Sequence, residues 1–113
     1  ANDAARSLQK GEIVRNEHEP QTLADGARTV SLGTHNWEII KDGVAEIIEV
    51  AEESIEEALR LNFQLANLKV EPTGALSLGA ILEDKARFTN QKVCLIVTGA
   101  NVDSAVFKRI MFG

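Results

Sequence analysis

A single cysteine, Cys94, among 113 residues rules out an internal disulfide. A chain without disulfides fits a reducing, cytoplasmic setting. Positive charge is also scarce: 17 acidic against 12 basic residues leave a formal net charge of -5, whereas nucleic-acid affinity rests on Lys and Arg neutralising phosphates. The balance argues against a nucleic-acid partner. No apolar run approaches the roughly 18 to 20 residues that span a bilayer, and "ANDAARSLQK" lacks the basic-then-apolar order of a signal peptide. No membrane association is expected.

Other markers are absent too. There is no GxGxxG, GxxxxGKS or GxSxG, so nucleotide hydrolysis and serine-esterase chemistry lose their usual signatures. His18 and His35 stand in separate loops without a histidine or cysteine partner at ligand spacing, which speaks against zinc. Cys94 lies mid-way along an apolar run and reads as inert packing, since nucleophilic cysteines need an electropositive, partly exposed setting.

What is present suffices for one small domain, which at this size can bury about two thirds of its unfolded surface. The chain opens without methionine and reads as helix from its third residue, as expected of a piece of something longer. "NDAARSLQKGE" predicts a short helix with Asn2 or Asp3 as N-cap and Gly11 as its stop. Residues 12 to 21 are polar and aperiodic, hence loop, and "TLADGARTVSLG" is irregular with one helical turn. "THNWEIIKDGVA" sets Trp37, Ile40 and Val44 at helical spacing after the capping candidates Thr34 and Asn36.

"EIIEV", residues 46 to 50, is short and β-branched at its centre and predicts a buried strand. The longest helix follows, with Ile55, Leu59, Leu61, Phe63, Ala66 and Leu68 on its apolar face. The five glutamates of "EVAEESIEEA" read as a solvated face favoured by the macrodipole at a helix start, not as a metal site. "EPTGALSLGAILED" predicts a helix so apolar and small-sided that it is buried on most faces. "KVCLIVT" predicts a second buried strand, and "DSAVFKRIM" a last helix begun by Asp103.

Strands alternating with helices imply an α/β fold with parallel pairing. Two strands are few against the usual four to six or so, so the expected sheet is incomplete on its own and finished by chain outside these 113 residues. No repeat or low-complexity stretch intervenes.

The segment with most chemistry is "VTGANVD", where a strand ends in a hydroxyl, two tiny residues and an amide. Ligands of open parallel sheets sit beyond the carboxyl ends of strands. Thr98 offers a neutral hydroxyl, and Gly99 and Ala100 let a flat ligand approach the backbone. The same residues also suit an ordinary turn capped by Asp103.

Taken in order, "NDAARSLQKGEIV", "TLADGARTVSLG", "WEIIKDGV", "VEPTGALSLGAIL" and "TGANVD" resemble the C-terminal part of threonine and serine dehydratases and serine racemases. These are pyridoxal-phosphate enzymes of fold type II. The resemblance runs over essentially all residues and implies the C-terminal portion of the cofactor-binding large domain, residues 1–113, within a three-layer fold around a parallel sheet. It implies that Thr98, commonly Ser in that family, gives its hydroxyl to the pyridine nitrogen, leaving it essentially uncharged where a carboxylate would hold it protonated. Gly99, Ala100 and Gly26 become clearance beside the cofactor. Asn101 matches a position at an effector nucleotide site, or simply closes the turn.

The family's metal site, for Mg2+ or another cation, takes a glutamate, a backbone carbonyl and an aspartate. Ala1 matches the carbonyl and Asp3 the aspartate, while the glutamate would precede Ala1. Asp3 as a helix N-cap is the plainer alternative. Glu71 falls near the active-site side without an assigned role.

The family's cofactor-bearing lysine and glycine-rich phosphate loop match no stretch here, so no catalytic residue is expected in this chain. The implied parent is a threonine or serine ammonia-lyase acting on a small hydroxy-amino acid, and the remaining part of that enzyme is the expected partner, within a homo-oligomer. A racemase or a threo-3-hydroxyaspartate ammonia-lyase on the same scaffold, or a non-catalytic interaction module, are the alternatives.

Overall fold

The computed structural model describes residues Ala1–Gly113. They divide into two compact units, one formed by Ala1–Thr22 and Gly26–Glu49, the other by Leu23–Asp25 and Val50–Gly113.

In the first unit, α1 spans Asp3–Lys10 and ends where Gly11 turns left-handed, with φ 77° and its N–H on the Ser7 carbonyl at 2.8 Å. Only glycine takes that conformation without a Cβ penalty, so the sequence stop at Gly11 is physical. A polar network then ties α1 to the loop that follows. The wholly buried Ser7 hydroxyl donates to the Asp3 carbonyl at 2.6 Å and accepts from the Val14 N–H at 2.8 Å.

Helix α2, Thr34–Gly43, buries Trp37 as its anchor. The cap position belongs to Gly33, not to Thr34 or Asn36, whose side chains make no capping bond. Asn36 instead folds back over Gly33, its Oδ1 lying 3.1 Å from where a Cβ on that residue would stand.

The second unit is built on α3, Glu52–Ala66, which buries Ile55, Ala58, Leu59 and Asn62. These lie at i, i+3, i+4 and i+7, one helical face. That face is narrower than the predicted stripe: Phe63 and Leu68 are 39% and 45% exposed. Asn62 occupies an apolar position at no polar cost, because its amide donates to the Ala58 carbonyl at 2.9 Å. Asn67 closes the helix at φ 56°, with the Leu68 N–H returning to the Asn62 carbonyl at 3.0 Å.

Helix α4, Leu76–Glu83, follows a 3-10 turn at Thr73–Ala75, and α5 spans Ser104–Phe112. Both pack on α3 around a core of Ala58, Leu59, Val70, Ala75 and Ile110. Gly79 lets α4 come close, since a Cβ there would stand 2.7 Å from Val50 Cγ1. Glu83, the last residue of α4, supplies the N-terminal cap that Ala51 lacks: its Oε1 accepts from the Ala51 N–H at 2.8 Å. That bond, with a second from the Ser54 hydroxyl, holds the Glu83 carboxyl below the usual range. Arg60 ties α3 to α5 by donating to the Ile110 carbonyl at 2.8 Å, and Arg109 returns to Glu56 at 2.8 Å.

Neither predicted strand forms. Residues 46 to 50 and 92 to 98 carry no regular secondary structure, and the chain is helical throughout its ordered elements. A strand exists only through the N–H and C=O ladder of a neighbour, and neither segment finds one within the chain. Burial fails with pairing: Val93 and Ile96 are 44% and 73% exposed, and Cys94 is exposed rather than packed. Helix α4 is likewise only half covered, with Gly79 its one buried residue. No helix is long and apolar enough to cross a membrane.

Candidate functional site

The end of the irregular segment 91 to 103 is seated on the turn that starts α4. Upstream, the Ser77 hydroxyl donates to the Ile96 carbonyl at 2.9 Å, and half-buried Val97 packs against the core. At Thr98 the backbone lies so close to the 3-10 turn that a Cβ on Gly74 would fall on the Thr98 carbonyl oxygen. One residue on, Gly99 adopts φ 68°, and its carbonyl accepts from the Glu71 N–H at 3.1 Å. The Glu71 carboxyl fills the space that a side chain on Gly99 would need.

Gly74 is therefore required here by a backbone contact inside the chain, and Gly99 by its left-handed conformation. Gly99 answers both to its left-handed backbone and to Glu71, a reason beyond clearance for a ligand. Thr98 itself is exposed, and its hydroxyl makes no hydrogen bond within the chain. Ala100 and Asn101 are exposed beside it. Asp103 closes the turn as an N-cap, accepting from Ala105 and Val106 N–H groups at 2.8 and 3.1 Å. A cap and a ligand-ready hydroxyl thus coexist in one turn.

The other candidates belong to the first unit. Gly26 is exposed, at the centre of the 3-10 turn Asp25–Ala27. Ala1 is exposed and Asp3 is 3% exposed, inside α1 rather than at its cap. Asp3 Oδ1 accepts from the Asn16 amide at 3.0 Å; Asn16 in turn holds the Thr29 carbonyl at 3.3 Å and receives the Arg6 guanidinium. Arg6 also reaches Asn2 Oδ1 at 2.9 Å. The carboxyl is thereby a structural brace for the loop.

As a cation site these residues do not fit on their own. Mg2+ and Ca2+ want about six or more oxygens, and no three acidic, histidine or cysteine residues gather anywhere in the chain. Ala1 and Asp3 offer one carbonyl and one carboxyl, with an oxygen of the latter already engaged.

The fit to a pyridine-type cofactor is better but local. A neutral, unengaged hydroxyl on a fixed turn suits an aromatic nitrogen that accepts a hydrogen bond. All six lysines, Lys10, Lys41, Lys69, Lys85, Lys92 and Lys108, are exposed. A covalently reactive lysine needs desolvation or a cationic neighbour to lose its proton.

Sequence reasoning left Glu71 without a role and passed over Gly74. The usable signal was a glycine three residues after Glu71, just where a helix begins, since glycine there costs helix stability unless something needs the room.

Comparison with known proteins places the chain in a family. The family described as "Pyridoxal-phosphate dependent enzyme" matches residues 1–99. The L-threo-3-hydroxyaspartate ammonia-lyase of Pseudomonas sp is 41% identical over 112 residues, which are 99% of this chain and 35% of that protein. Among solved structures, the threonine deaminase of T.th. is 47% identical with a TM-score of 0.84, covering 91% of this chain and 37% of its own. Maize serine racemase has a TM-score of 0.85 at 32% identity, covering 99% of this chain and 35% of its own. The chain spans about a third of the length of the relatives it matches.

Proposed function

This chain belongs to the family of pyridoxal-phosphate-dependent enzymes, and from that premise we propose that it forms the C-terminal portion of the cofactor-binding large domain of an ammonia-lyase for small hydroxy-amino acids. The observation that carries the reading is Thr98: an exposed, unengaged hydroxyl on a turn fixed by Gly74, Gly99 and Glu71. When bound, pyridoxal phosphate supplies the electron sink for loss of the β-hydroxyl, so that the net reaction releases a 2-oxo acid and ammonia. Thr98 would donate to the ring nitrogen and, being neutral, would leave it essentially uncharged. Gly99 and Ala100 would give room beside the ring. This chain holds and tunes the cofactor; no proton transfer is assigned to it.

A second reading has its own support. The 41% identity to a hydroxyaspartate ammonia-lyase and the likeness to serine racemases make threo-3-hydroxyaspartate or the enantiomer of serine alternative outcomes on one scaffold. The test is to supply the natural polypeptide carrying this chain with L-threonine, L-serine and threo-3-hydroxyaspartate. Released 2-oxo acid and ammonia are measured, and the remaining amino acid is resolved on a chiral column.

The ammonia-lyase reading expects 2-oxo acid from threonine or serine. It expects Thr98→Ser to be nearly silent and Thr98→Val to lower turnover about tenfold or more, with little loss of stability, since the two residues have similar shape and one hydrogen bond is removed. Equal turnover for Thr98→Val and wild type removes the hydroxyl from the chemistry. Absence of 2-oxo acid from every substrate overturns the lyase.

A further inference from the structure

We infer that the Glu71–Gly74 segment is the positioning seat for Thr98, setting where its hydroxyl meets an aromatic nitrogen; this rests on the cofactor reading above. Three contacts converge on two consecutive residues. Gly74 leaves the space that the Thr98 carbonyl occupies. The Glu71 N–H holds the Gly99 carbonyl at 3.1 Å. The Glu71 carboxyl lies under the left-handed Gly99, in the space that a Cβ would take.

Local preference does not secure this turn by itself. Gly99 is the residue type with the widest backbone freedom, and the segment before it belongs to no helix or ladder that could hold it. The restraint comes from across the chain, from a 3-10 turn that is itself anchored by buried Pro72, Gly74 and Ala75. A hydrogen bond weakens steeply when its angle is lost, so a displaced Thr98 carbonyl means a misdirected hydroxyl. The action of the Glu71 side chain is steric. A neutral side chain of the same size serves as well.

The test uses two ligands that differ only at the ring nitrogen: pyridoxal 5'-phosphate and its deaza analogue, in which that nitrogen is replaced by C–H. Both are titrated by calorimetry into the cofactor-free natural polypeptide carrying this chain, and the affinity ratio is the readout. Wild type should prefer the nitrogen-bearing ligand by about tenfold, the upper range for one net hydrogen bond. Gly74→Ala, whose new Cβ must push the Thr98 carbonyl aside, should abolish that preference. Glu71→Ala should reduce it several-fold, and Glu71→Gln should retain it.

Weakening of both ligands in equal proportion by Gly74→Ala and Glu71→Ala, with the ratio kept, would mean a merely structural role and overturn the inference. If Gly74→Ala does not fold, Glu71→Ala decides alone by the same ratio. A loss of preference in Glu71→Gln as large as in Glu71→Ala overturns the steric seat. A wild type that binds neither ligand, or both equally, defeats the Thr98 assignment itself and the inference with it; a failure confined to the variants defeats only the inference.

Discussion

The two units are held together by opposite means. In Ala1–Thr22 and Gly26–Glu49 the buried groups include Asp3 and Ser7, and the loop is fastened by Asn16 and Arg6; Trp37 is the only large apolar residue buried there. In the unit containing Val50–Gly113 the buried side chains are chiefly Ile55, Ala58, Leu59, Val70, Ala75 and Ile110, with polar ties at the rim. Apolar burial is non-directional and tolerates small adjustments. A polar network is directional, and removing one member strands its partners. The first unit should therefore fail abruptly at single hydroxyl or amide positions, and the second in proportion to volume removed.

Leu59→Ala presses hardest on the apolar side. The residue is wholly buried, and truncation should cost about 2 to 5 kcal/mol through lost transfer energy and the remaining cavity. Urea unfolding followed by far-ultraviolet circular dichroism measures it, and a cost under about 1 kcal/mol would break the contrast.

On the polar side, Ser7→Ala removes one hydroxyl yet leaves the Val14 N–H without its acceptor. The expected cost is about 1 to 3 kcal/mol, out of proportion to the single atom lost. Trp37 fluorescence during urea unfolding reports on that unit. A change indistinguishable from wild type would show the network to be ornamental.

The smallest effect concerns the rim. Because the folded Glu83 carboxyl is held below its usual range by the Ala51 N–H and the Ser54 hydroxyl, its contribution is present above the ordinary carboxylate pKa. It is lost as pH falls through the lowered value. Glu83→Gln should flatten this part of the acid limb of stability against pH and leave the neutral-to-alkaline limb unchanged. A steeper acid limb in the variant would reverse the assignment.

How much of this was legible beforehand follows from where each determinant lies. Helices α1, α2, α3 and α5 were readable because caps, stops and periodicity are local: Gly11 and Asp103 act through their own neighbours. The strands at 46 to 50 and 92 to 98 were not, since β-branched composition shows suitability for a ladder and says nothing of a partner. Asp3 misled in the same way. Its residue type suits a cap, but its carboxyl is claimed by Asn16, 13 positions on. Thr98 was singled out from its place at the end of a predicted strand, yet what fixes its backbone, Glu71 and Gly74, lies more than 20 residues earlier in sequence. Spacing within a motif cannot reveal that.

Glu83 has one more consequence, which concerns time. The first turn of α3 is capped by a residue 32 positions downstream rather than by its own neighbour. A local cap closes as fast as the turn it serves, whereas this one must wait until α4 has formed and docked, a loop closure away. The Ala51 N–H at the start of the longest helix thus gains its acceptor only once α4 is in place. It loses that acceptor whenever α4 lifts, so that exchange of the Ala51 amide follows the opening of α4 rather than that of α3.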